Sequence, residues 1–176
     1  MGQGSFLISA TVRLALLCYA ACVTLQLMNC HGARWRSVFR GLWTTGALLF
    51  VAHVMAAFHF AHHWDHQAAI QSTAEQTKEL IGWAFGEGLY FSYLFVLLWL
   101  ADVVWYWVAP EAYESRSRRL SLLLHGYLFF IAFNGAVVFE SGVTRPAGVL
   151  ISVLFAVLSL RSIRSERRRT GKADHA

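Results

Sequence analysis

The chain has 176 residues, of which 57% are hydrophobic, and only fifteen basic and ten acidic side chains, whereas a soluble domain would carry roughly a quarter of its residues as charges. That shortage excludes an ordinary water-soluble domain, and about 100 apolar residues suffice for about five bilayer crossings. The net charge of +5 is dispersed in short clusters between apolar runs, so it argues for orientation in a membrane and against nucleic acid as a partner.

In chain order, the apolar runs cover residues 6–28, 42–63, 83–108, 120–139 and 146–160. Each is close to the length that crosses about 30 Å of hydrocarbon, the last being short. The expected fold is therefore an all-α, polytopic membrane bundle of five helices. It forms a single domain over 1–160, followed by a basic cytoplasmic tail at 161–176. Continuous rather than alternating runs exclude a β-barrel. Cys18, Cys22 and Cys30 lack a CxxC spacing and lie in or beside the first run, which makes them packing residues rather than a disulfide framework.

Charge sets the expected orientation. Arg34, Arg36, Arg40, Arg116, Arg118, Arg119 and the tail residues Arg161, Arg164, Arg167, Arg168, Arg169 and Lys172 fall on one side, against Lys78 and Arg145 on the other. The positive-inside rule then puts the N-terminus outside and the C-terminus in the cytoplasm, as in a multi-pass inner-membrane protein of bacterial type. Arg13 interrupts the first run and is expected to snorkel to the outer headgroups, the alternative being a pair with an intramembrane carboxylate. Trp64, Trp83, Trp105 and Trp107 mark the interfaces.

The outer loop from Gln67 to Ile81 is expected to form a short interfacial helix. Ser72-Thr73-Ala74-Glu75 has the capping-box pattern, and Ala74, Thr77 and Ile81 share a face. Gly82-x-x-x-Gly86 follows, a spacing that lets two membrane helices approach closely.

Polar residues inside or beside the apolar runs carry the functional expectations. If the second helix continues through its outer end, His59, His62, His63 and His66 fall within a sector of about 100°. Imidazoles one turn apart can hold one or two metal ions, with iron, copper and zinc all compatible. Glu87 and Glu140 would add carboxylate ligands at the same depth, and Asp65 would orient an imidazole from outside the ligand set. Deeper in the bundle, Asp102 and His125 are expected to form an inner polar pair. His53 and His125 supply a second reading, the axial ligands of a b-type haem, although their depths differ by roughly 6 Å on the helix rise.

The His59-x-x-His62-His63 triplet is similar to one histidine box of the membrane di-iron desaturases and hydroxylases, but the further boxes of those enzymes are absent. No Walker loop, GxSxG, HExxH or CxxCH motif is present, so no residue is assigned a catalytic role. Three readings follow. The first is a membrane protein with a His/carboxylate metal centre on the exoplasmic side, an oxidoreductase or part of one. The second is a non-enzymatic subunit among other membrane subunits, or a small ion or proton transporter. The third is a haem electron-transfer subunit. The lipid bilayer is the partner common to all three.

Overall fold

A computed structural model describes residues 2–28, 32–135, 149 and 153. The expected fifth run apart from residues 149 and 153, the basic tail, Cys30, Arg145 and Glu140 lie outside the described residues. All regular structure within them is helical: α1 (Gln3–Leu27), α2 (Ala33–Phe60), α3 (His66–Ile81), α4 (Gly88–Val108), α5 (Pro110–Glu114) and α6 (Arg118–Phe133). Three of these helices, α1, α2 and α4, are long and apolar enough to cross a membrane. The surface they present is rich in exposed Leu, Val and Phe, which suits contact with lipid.

α1 and α2 form an antiparallel hairpin whose contacts keep one register from end to end. A Cβ on Gly4 would meet the Phe60 ring, His53 Nδ1 lies 2.9 Å from the Ile8 carbonyl, Gly46 sits against Cys18, and Cys22 Sγ faces the Phe39 carbonyl at 3.7 Å. In lipid, helices gain nothing from leaving water, so they associate through close packing and polar contacts. The core shows how: Tyr19 and Cys22 of α1, Trp43 and Ala47 of α2, Phe95, Trp99 and Val103 of α4, and Leu128 and Ala132 of α6 are buried together. The Trp43 and Trp99 rings lie 5.1 Å apart, with Tyr19 at 5.8 Å from each. Gly46 makes room for this aromatic stack, because a Cβ there would stand 2.8 Å from Trp99 and 3.0 Å from Cys18.

Both boundaries of α2 differ from expectation. α2 begins at Ala33 rather than near residue 42, because arginine is a good helix former and charge ends a membrane crossing without ending a helix. It also stops at Phe60, where the apolar run had suggested residue 63. His63 and Trp64 adopt left-handed φ values of 49° and 63°, which cost about 1 kcal/mol each and turn the chain away from the helix axis.

α3 forms where the loop helix was expected, but its cap is different. Asp65 is the N-cap and its carboxylate accepts the Gln67 N–H at 2.8 Å, so Ser72 to Glu75 lie inside the helix rather than at its start. Gly82-x-x-x-Gly86 is not a helix-packing motif either. Gly82 ends α3 with φ 77°, and Gly86 is pressed against α3, where a Cβ would come within 2.8 Å of the Ile70 carbonyl. Thr77 completes the turn by accepting the Phe85 N–H at 2.8 Å. The expected third run therefore becomes helical only from Gly88, five residues later than its apolar start at Trp83.

Gly46→Ala should lower the stability of the detergent-solubilised protein by about 1–3 kcal/mol through overpacking against Trp99. Gly41→Ala, on the same helix with open space at its Cβ position, should be neutral or stabilising by about 0.5–1 kcal/mol. Thermal unfolding of the two variants checks the contrast.

Candidate functional site

The outer histidines do not form a stripe. Only His59 belongs to α2, His62 and His63 occupy the turn after it, and His66 opens α3. The left-handed pair at His63 and Trp64 breaks the azimuthal relation that placed four imidazoles on one face. His59 Nδ1 accepts from Trp64 Nε1 at 3.3 Å, and His66 Nδ1 lies 3.1 Å from the Tyr93 hydroxyl. His62 packs on the Phe58 ring. Asp65, expected to orient an imidazole, spends a carboxylate oxygen on its capping bond, and Glu87 is exposed at the head of α4. Among the described residues no group of three or more His, Cys, Asp or Glu side chains is placed to hold a metal ion.

The other polar residues converge at the end of the bundle that carries the α1–α2 and α4–α6 connections. Asp102, on the last third of α4, is 3% exposed. Pro110 starts the single turn of α5, which folds the chain back so that Tyr113 and Arg116 return to the level of Asp102. Arg116 Nη1 donates to Asp102 Oδ1 at 2.7 Å, while Trp43 Nε1 and the Tyr113 hydroxyl each donate to Oδ2 at 2.8 Å. The carboxylate thus has both oxygens satisfied by groups from α2, α5 and the segment before α6. Its ion pair with Arg116 is shielded, with side-chain exposures of 7% and 1%.

Arg116 links the carboxylate to His125. Its Nε donates to Ser121 Oγ at 2.7 Å, its Nη2 lies 3.1 Å from His125 Nε2, and its Cζ sits 3.9 Å above the Tyr113 ring. A guanidinium can only donate, so Nε2 must be the accepting nitrogen and the imidazole proton is assigned to Nδ1. That Nδ1–H is buried and has no hydrogen-bond partner among the described residues. Trp43 packs on the same imidazole with ring centroids 5.5 Å apart, and the Tyr19 hydroxyl donates to the His125 carbonyl at 3.4 Å. Asp102 and His125, matched by depth in the sequence, therefore belong to one network, but through Arg116.

The haem geometry fares differently at its two ends. His53 directs Nδ1 at a backbone carbonyl of α1, the arrangement that commonly orients a ligating imidazole. His125, however, presents Nε2 to Arg116, which already occupies that nitrogen.

Arg116, Tyr113, Trp43, Ser121 and Tyr19 escape a reading based on charge and apolar runs. Arg116 was counted with the solvated loop charges, and the only signal for its return was Pro110, which forces a turn between two helices. No protein family, curated protein or solved structure matches this chain.

Burial pushes the Tyr113 phenol up from its usual range and the Asp102 charge adds to the effect, while Arg116 opposes it. The folded state thus holds a proton that the unfolded chain loses near pH 10, so this contribution is complete below pH 10 and is lost as pH rises beyond it. Tyr113→Phe should cost about 1 kcal/mol at neutral pH and flatten the alkaline loss. Asp102→Asn leaves Arg116 buried without its counter-charge and should cost about 3–5 kcal/mol. Both are read from thermal unfolding against pH in detergent.

Proposed function

We propose that the chain is a multi-pass membrane protein that takes up and passes on protons at His125, with Asp102 and Arg116 as the fixed charges beside it. It would act as a small transporter or as the proton-handling subunit of a membrane complex. The observation that carries this reading is the buried Nδ1–H of His125, unpartnered among the described residues, next to the Asp102–Arg116 ion pair. Ionisable groups inside apolar helices are costly to keep, and they recur where protons or ions move.

The chemistry follows from donor and acceptor roles. In the neutral state His125 Nε2 accepts from Arg116. A proton arriving on Nε2 would set two donors face to face and drive the ring and the guanidinium apart. Asp102 then holds the displaced positive charge, and Tyr113 and Trp43 keep the carboxylate in position. Loss of the proton from Nδ1 would leave the Nε2–H tautomer, so the ring must rotate before an accepting nitrogen faces Arg116 again and the cycle can repeat. An imidazole with two distinct nitrogens suits this task.

Orientation belongs to the same proposal. Arg36 and Glu114 pair at 3.2 Å, which joins the basic α1–α2 and α4–α6 connections at one end. The charge bias makes that end cytoplasmic in a five-span, N-out and C-in arrangement. Reporter fusions after Gly32 and Thr77 should read cytoplasmic and exoplasmic respectively; the opposite pattern would overturn the orientation.

Purified protein in vesicles loaded with a pH-sensitive dye should show proton influx under an imposed potential, well above protein-free vesicles. His125→Gln should abolish that influx and His63→Gln should leave it intact. Influx no faster than in empty vesicles, or unchanged in His125→Gln, would sink the proposal. One equivalent of iron, copper or zinc per chain, or a Soret band, would instead return His59, His62, His63, His66 and His53 to the centre of the problem.

A further inference from the structure

α2 has 28 residues and is therefore about 42 Å long, longer than the ~30 Å of hydrocarbon. Its surplus falls in the first turns, which carry Arg34, Arg36 and Arg40, so Arg40 lies about where acyl chains give way to headgroups. Arg36 has Glu114 and Arg116 has Asp102. Arg40 has no carboxylate partner among the described residues, and its Nε is buried without a hydrogen bond.

The Arg40 side chain is nevertheless held. Its Cζ lies 4.8 Å from the Tyr106 ring centroid and 4.9 Å from that of Trp107. Both rings are fixed from behind. Tyr106 stacks on Tyr113 at 4.3 Å with the planes 8° apart. Trp107 Nε1 donates to Thr44 Oγ1 at 3.0 Å, and that hydroxyl donates to the Arg40 carbonyl at 2.8 Å. Two aromatic faces restrain the guanidinium without satisfying any of its N–H groups, and a planar fork suits a phosphate or carboxylate.

The surroundings specify which anion. Trp107 is 55% exposed and is flanked on α4 by Val104 and Val108 at 56% and 78%. On α2, Leu48 continues the line of Arg40 and Thr44 one turn further and is 59% exposed. A cationic head with an apolar strip running from it along two helices is complementary to an amphiphile with an anionic head and hydrocarbon tails. We propose that Arg40, braced by Tyr106 and Trp107, binds the phosphate of an anionic phospholipid whose acyl chain lies along Leu48 and Val104. This assignment depends on membrane residence and is independent of proton handling by His125.

The test is native mass spectrometry of the full chain in detergent with added phosphatidylglycerol. Wild-type protein should retain the lipid, and Arg40→Gln should reduce retention at least about fivefold, the factor a single basic group supplies at an anionic surface. Arg36→Gln removes the same charge from an exposed pair and should leave retention unchanged. Arg40→Lys, which keeps charge without the planar fork, should restore it only in part. Thermal unfolding confirms that each variant is folded, and Trp107→Leu, which removes one brace, should weaken retention if Arg40→Gln does not fold. Equal losses in the Arg40 and Arg36 variants, or no loss in either, would overturn the site. Displacement of the lipid by millimolar inorganic phosphate would make the ligand a soluble phosphate and overturn the lipid assignment.

Discussion

The ion pair between Asp102 and Arg116 constrains everything around it. A carboxylate and a guanidinium removed from water cost several kcal/mol each in lost solvation, and their attraction offsets that cost only when their remaining valences are filled. Filling them recruits the surrounding elements. Trp43 must reach across from α2, Tyr113 must be carried back by α5, and Ser121 and His125 must be presented by the first turns of α6. The angle at which α6 meets α4 and the tightness of the Pro110 turn are therefore parts of one electrostatic solution. The aromatic stack of Tyr19, Trp43 and Trp99 extends the same junction into the apolar interior, since Trp43 belongs to both.

This arrangement separates the two ends of the molecule by the kind of order they have. At the basic end, charges from successive segments are matched to one another and to aromatic faces. At the other end, the histidines meet aromatic rings close by, Phe60 and Trp64 for His59 and Tyr90 and Tyr93 for His66, and the positions are set by backbone turns and by Asp65 as a cap. The first kind of order couples distant segments and the second is local. A proton or a conformational change at His125 would be felt by α2, α4, α5 and α6 together, whereas one at His59 would be felt mainly by its near neighbours Phe60 and Trp64.

The sequence was legible where one physical term dominates. Apolar runs located α1, α2 and α4, and the depth match between Asp102 and His125 drew attention to two residues that the structure links through Arg116. It misled where a local backbone event overrides periodicity. Extending the helical angle of α2 past Phe60 aligned four histidines, but nothing in residues 59–66 announces that His63 and Trp64 turn left-handed, because no glycine marks the place. Ser72 to Glu75 matched a capping pattern, yet Asp65 lies earlier and captured the helix start. Arg116 illustrates a third failure. A charge between two apolar runs is ordinarily solvated, and only the return of the chain through α5 brings this one inside.

The proximity of Asp102 and Arg116 in the chain, fourteen residues apart across one tight turn, bears on how the protein is made. A membrane helix emerging with a bare carboxylate in its last turns meets a barrier to entering lipid, and a partner arriving only with a later helix would leave that barrier standing. Here the counter-charge follows directly behind α4, within reach before α6 has been released. The Asp102–Arg116 pair can thus enter the bilayer as an electrically neutral unit, with the network to α2 and α6 completed afterwards.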